Sequence, residues 1–246
     1  MAAASAANNT AVEATASKLL EFSGEYDVAL LDSTVDAFFG SRSNDERVAA
    51  ESVLKRLQEH PEAWTKVDVI LERSKSQQTK FYALQILESV IKYRWGALPS
   101  EQREGIRNYV SNLIIELSTD EAVFRAQKVF LNKLNLILVE ILKHDWPSKW
   151  TSFMSDLVAA SKKSETLCEN SMVILKLLSE EIFDFSRDAL TQAKTKELKT
   201  SLNTEFQLIH ELCLFVLNAS QRGDLIKATL SCLHAYLSWI PLGYIF

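Results

Sequence analysis

The chain has 246 residues, 47% of them hydrophobic and 24% charged, which excludes wholesale disorder because there is enough apolar surface to offset chain entropy. It holds 6 Gly and 4 Pro, where average usage would give about 30 of the two together, so a many-turned β-sandwich or barrel is disfavoured. With 27 Lys plus Arg against 32 Asp plus Glu, a net of -5, it lacks the basic surplus of a direct nucleic-acid binder; a protein partner fits better.

Residues 1–25 are rich in Ala, Ser and Asn. They have no basic residue before Lys18 and no apolar core, so they are not a secretory leader. They read as a mostly disordered tail whose alanines can form a transient helix. From Tyr26 onward the pattern is helical almost without a break. Ser43 and Glu46 have capping-box spacing and open a helix through Val48, Leu54 and Leu57 that ends near His60. A short helix follows around Trp64, Val67, Ile70 and Leu71. Thr79 to Trp95 carries Phe81, Leu84, Leu87, Ile91 and Trp95 at helical spacing, and Gly96 and Pro99 stop it. Ser100 caps a helix to about Leu117. Asp120 starts a long helix that ends before Pro147, which suits the first position of the next. Further helices are expected over about 147–160, 165–185, 190–218 and 224–239.

The second helix of each pair starts near residues 43, 77, 120, 164 and 222. Most of these intervals lie close to the roughly 40–47 residue period of HEAT and armadillo arrays. The last is longer and predicts an extended helix or loop near 191–200. The expected fold is therefore all-α: a right-handed α-solenoid of about five HEAT-type helix pairs. Residues 123–142 support it. Phe124, Phe130, Leu131, Leu134, Ile137, Leu138 and Ile141 form one broad apolar surface, widened by Val129, Leu136 and Val139. A two-layer bundle would need only one stripe.

Polar stripes remain on the second helices. Gln78, Gln85, Glu88 and Lys92 step at helical intervals, as do Arg125, Lys128, Asn132 and Asn135. These read either as a solvated face or as the concave wall on which such arrays bind partners.

Chemistry is thin. The glycines are too scattered for a phosphate-binding loop. Cys168, Cys213 and Cys232 are odd in number and sparse, so they read as free thiols packed as small hydrophobes. His210 and Cys213 could share a helix face, but Cys232 and His234 are two apart and point away from each other on a helix, so a zinc site is disfavoured. Glu180, Glu181 and Asp184 form an acidic cluster without a nucleophile or pocket. Trp95, Trp146, Trp150 and Trp239 read as core wedges. No apolar stretch approaches the roughly 20 residues of a membrane span. No enzyme activity, cofactor, metal, nucleic acid or membrane partner is expected.

Several segments resemble the karyopherin-β family of nuclear transport receptors. TKFYALQILESVIKYRW followed by GALP resembles the second repeat of the importin-β N-terminal domain, which would cover 46–112. VFLNKLNLILVEILKHDWPSKW, CENSMVILKLLSEEIFDFS and LHAYLSWIPLGYIF are more specific and resemble the family's export receptors rather than its importins. Residues 113–246 would then be HEAT repeats truncated at the C-terminus. The resemblance implies a shuttling protein of nucleus and cytoplasm whose N-terminal repeats embrace the GTP form of the small GTPase Ran. Leucine-rich export-signal cargo and nucleoporins would be bound by repeats missing here. The residues expected on the Ran-binding wall are Gln85, Glu88, Lys92, Arg125, Lys128, Asn132, Asn135 and Glu180, placed by face geometry alone. A HEAT scaffold of another kind, such as a regulatory phosphatase subunit or an import receptor, and an all-helical enzyme are the alternatives. The apolar end from Ala235 to Phe246 has no polar cap, which predicts a fragment cut between repeats with exposed side chains at its last helix pair.

Overall fold

A computed structural model describes residues 12–185 and 190–240, the side chains of 184 and 185 excepted. Every regular element among the described residues is helical. The chain divides into two compact units, Met1–Arg94 and Trp95–Phe246.

In the first unit residues 12–19 are helical (α1), followed by α2 (Val28–Gly40), α3 (Asn44–Glu59), a 3₁₀ turn at Ala63–Lys66, α4 (Val67–Arg73) and α5 (Gln77–Arg94). Ordered chain thus starts well before Tyr26, against the expected tail of 25 residues. Ala16 and Leu19 are wholly buried, and Glu13 pairs with Arg56 of α3 at 3.0 Å, so α1 is held by a small apolar face. Residues 1–11 lie outside the described residues. Ser43 caps α3 by accepting from the Glu46 N–H at 3.4 Å. The Glu46 carboxylate, however, accepts from Ser41 Oγ rather than reaching the Ser43 N–H. Ser41 Oγ accepts from that N–H instead, at 3.0 Å, closing the capping box through a third residue. Val48 is exposed; Ala50, Val53, Leu54 and Leu57 carry the buried face of α3. Tyr82 of α5 donates to the Leu54 carbonyl at 2.5 Å, pinning α5 to α3.

The second unit contains α6 (Ser100–Thr119), α7 (Glu121–Ala126), α8 (Lys128–Asp145), α9 (Phe153–Ser161), α10 (Glu165–Glu180) with a π turn at Glu181–Phe185, α11 (Gln192–Ala219) and α12 (Gly223–Leu237). Second helices start at 44, 77, 121, 165 and 223, matching the period expected, and the long interval is absorbed by the 28-residue α11. Three local expectations fail. The helix from Asp120 breaks at Gln127, whose φ of -102° and ψ of 14° interrupt the helical path. Pro99, not Ser100, is the N-cap of α6. The helix expected from Pro147 begins only at Phe153; Trp146–Pro147 is a cis bond, and the Lys149 and Trp150 amides fold back onto the Asp145 carbonyl at 2.7 and 3.1 Å.

On α8, Phe130, Leu131, Leu134, Ile137, Leu138, Val139 and Ile141 are buried, and so is Phe124 of α7. Val129 (73% exposed) and Leu136 do not widen that surface; they point out of it. Trp95 and Trp146 are core wedges, but Trp150 and Trp239 are only half-buried. Of the apolar C-terminal segment, Tyr236 and Ile240 are buried rather than bare, and Trp239 stacks on Phe183 at 3.7 Å while donating to Ser179. Leu237 remains exposed. Residues 241–246 of that expectation lie outside the described residues.

Candidate partner-binding face

Three of the eight predicted wall residues fall in the first unit and five in the second. On α5, Gln85 is exposed and lines a groove of about 860 Å³ between α2, α3 and α5. Gln58, Gln78, Phe81 and Phe39 share this lining, and Phe39 is 65% exposed. Below the groove, burial raises the Tyr82 hydroxyl well above the ordinary phenol range, so it stays a donor to Leu54. Glu88 and Lys92 do not line the groove. They form an i,i+4 ion pair at 3.0 Å on the adjoining strip.

In the second unit Arg125 is the hub of an ion-pair network that crosses three second helices. It meets Glu169 of α10 at 3.2 Å, Asp224 of α12 at 2.9 Å and Glu121 of its own helix at 4.0 Å. Arg222 pairs with the same Glu121, and Lys128 approaches Glu169 at 3.7 Å. The Glu169 side chain is 4% exposed, so these cations are what allow a carboxylate there. Glu121, Glu165 and Asp224 stand in the first turns of α7, α10 and α12, where the helix dipole favours negative charge.

Asn135 does not belong to the wall. It is fully buried and exchanges two hydrogen bonds with Asn170 of α10, at 2.8 and 3.1 Å. It stands three residues after Asn132, about 60° around the helix, and that offset takes it from the open side to the face under α10. Lys128 and Asn132 are exposed and, with Val129 and Leu136, make a mixed polar and apolar stripe along α8. Glu180 is half-buried, pairs with Lys176 at 3.4 Å, and lines a groove of about 520 Å³ between α10 and α12 with Ile226, Leu230 and His234.

Sequence reasoning missed Glu169, because its partners lie 41 and 44 positions away and no local spacing reveals them. It missed Lys143 as well, which is 5% exposed and bonds Glu140 at 2.7 Å and Glu181 at 3.0 Å. A charged pair, Glu140 and Lys143, inside an apolar helix (VEILK) was the available signal. Glu180 and Glu181 therefore do not converge: each is held by a different lysine. Asp184 lies outside the described side chains. Among the described residues no three His, Cys, Asp or Glu side chains gather to hold a metal ion; His210 instead stacks on Phe206 at 5.6 Å. The three cysteines are free and buried, and burial pushes the Cys168 thiol up to about 11. No helix among the described residues is long and apolar enough to cross a membrane. The arrangement is suited to binding, through exposed polar groups and isolated apolar side chains on a braced wall.

Known proteins are similar to this sequence. The exportin 1-like protein family matches residues 127–246, and the importin-beta N-terminal domain matches residues 50–116. Protein EXPORTIN 1A of Arabidopsis thaliana is 64% identical over 94% of the chain. Exportin-1 of Drosophila melanogaster is 55% identical over the same share. Exportin-5 of Homo sapiens is 25% identical over 72% of it. The chain spans 22% of the length of the first two and 16% of the third.

Proposed function

The chain belongs to the exportin-1 group of importin-β-like transport receptors, and from that premise we propose that its second helices form the wall by which a nuclear export receptor engages GTP-bound Ran. The observation that carries the reading is the stripe of Lys128, Val129, Asn132 and Leu136 on α8. Val129, in the first turn of α8, is 73% exposed, and with the exposed Leu136 it sets apolar surface among polar side chains along one outward strip of a helix whose other flank is buried, the mixed character of a partner surface. Gln85 and its groove supply a second contact area in the first unit. The partner is a protein rather than a nucleic acid, because the chain carries no basic surplus.

Leucine-rich export-signal cargo and nucleoporins fall to parts of the longer relatives beyond the fifth matched here, and the assembled receptor shuttles between nucleus and cytoplasm. The test is a binding assay with Ran locked in its GTP state against Ran loaded with GDP. Preference for the GTP state is expected, together with weakened binding and unchanged helicity in Lys92→Glu/Lys128→Glu. Equal binding of both states overturns the Ran reading. Unchanged affinity in the double variant removes these two lysines from the wall.

A further inference from the structure

The groove of about 520 Å³ between α10 and α12 is an open seam between two second helices of the second unit. α12 lends it residues 223, 226, 227, 230, 231 and 234, the i, i+3, i+4, i+7 order of a face that a helix lays against another helix. From 223 to 234 this face runs about 16 Å, three turns. Across from it stand Lys176 and Glu180 of α10. Leu230 is 53% exposed at the middle of the face, and Ile226 is half-buried one turn before it.

Charge discriminates among occupants. Glu180 is met by Lys176 at 3.4 Å, and Asp224, at the start of α12, by Arg125 at 2.9 Å. Lys227 and His234 are both exposed, and their side chains make no ion pair or hydrogen bond among the described residues. They stand two turns apart on one face, with Leu230 between them. The seam therefore carries uncompensated positive charge, on a chain whose net charge is -5.

We propose that this seam takes an acidic amphipathic helix of a partner protein. One carboxylate of that helix meets Lys227, a second two turns along meets His234, and an apolar side chain between them packs on Ile226 and Leu230. A helix in a groove is read through anchors one and two turns apart, and opposite charges fix its register. A basic helix would be repelled by Lys227, and an uncharged one would leave it unpaired. The site stands apart from the Ran reading. Glu180 alone is shared with the wall assigned above, and the test involves no GTPase.

The test is fluorescence anisotropy, the whole chain titrated into a labelled helical peptide built on alanine and glutamine. The peptide bears two Glu seven residues apart and a Leu one turn inside each. Matched peptides carry Gln or Lys in place of both Glu. The Glu peptide should bind, the Gln peptide about 2–30-fold more weakly through the loss of two exposed pairs, and the Lys peptide more weakly still. Lys227→Glu and His234→Glu should each weaken binding of the Glu peptide by about 2–30-fold, an attraction lost and a repulsion gained. Leu230→Ala should cost about 3–10-fold through lost apolar contact. Lys196→Glu, an equal charge reversal at an exposed position of α11, should leave affinity unchanged, and circular dichroism should show native helicity in all four variants. No binding of the Glu peptide, equal or tighter binding of the Gln or Lys peptide, unchanged affinity in any of the three groove variants, or an equal loss in Lys196→Glu would each overturn the site.

Discussion

Asn135 and Asn170 face each other between α8 and α10 at 0% and 2% exposure. Replacing Asn135 by Ala removes both of their hydrogen bonds, of 2.8 and 3.1 Å. It also leaves the Asn170 carbonyl oxygen and amide group in a dry interface with no partner. Each buried polar group so orphaned costs about 1–3 kcal/mol, so N135A should destabilise the chain by about 2–6 kcal/mol. N170A should do the same from the other side. The double variant N135A/N170A orphans nothing. Its cost is the cavity alone, so on the same figures it should fall short of the sum of the singles by about 4 kcal/mol or more, at or above the top of the range seen for contacting pairs. Urea unfolding followed by circular dichroism measures all four proteins, and an unchanged slope with denaturant confines the difference to stability. Additivity within about 0.5 kcal/mol would show that the two amides do not depend on each other. A single variant as stable as the native chain would refute the reasoning outright.

The remaining predictions concern the ion-pair hub and the first unit's phenols. Arg125→Met leaves the buried Glu169 carboxylate with the more distant Lys128 at 3.7 Å. Thermal unfolding should report a loss of about 3–5 kcal/mol, largely recovered in Arg125→Met/Glu169→Gln; no recovery would mean that Arg125 acts through packing. Tyr26 carries a buried hydroxyl without a hydrogen-bond partner, whereas Tyr82 donates to Leu54. Tyr26→Phe should therefore be neutral or stabilising and Tyr82→Phe should cost about 0.5–1.5 kcal/mol; the reverse order in urea midpoints would contradict the assignment of these donors.

The helix pairs were legible because apolar spacing, caps and prolines are local signals. Ser43, Asp120 and Ser164 each accept from the N–H three residues on, as a cap should. What escaped reading depended on the partner rather than the helix. Val129 and Asn135 show the two directions of error. A valine on an apolar-looking helix was assigned to the core and faces out. An asparagine on a polar-looking stripe was assigned to the wall and faces in. Periodicity fixes which residues share a face but not which face the next helix covers, and on a helix packed on two sides that ambiguity spans most of the circumference. Gln85 escaped the error because α5 is bounded by the groove on that side, so its polar stripe and its open side coincide. The alanine-rich start misled for a related reason: Ala16 and Leu19, wholly buried in the fold, are too small a signal to read before the rest of the chain covers them.

The missed polar residues share a position. Arg125–Glu169, Asn135–Asn170 and Lys143–Glu181 are three bridges from the α7–α8 segment to α10 and the π turn that continues it. Each uses a side chain that is nearly or wholly buried on at least one side, and buried polar pairs contribute less to raw stability than to register. Sliding α10 along α8 by one turn, about 5.4 Å, would break all three at once. An apolar interface of leucines and isoleucines offers no such discrimination, since one branched side chain replaces another after a slip. The register so fixed is what holds Lys128, Val129, Asn132 and Leu136 in one outward stripe. On the proposed reading of that stripe, a wall locked before its partner arrives would lose little conformational freedom on binding, and the buried bridges would act on recognition without touching the partner.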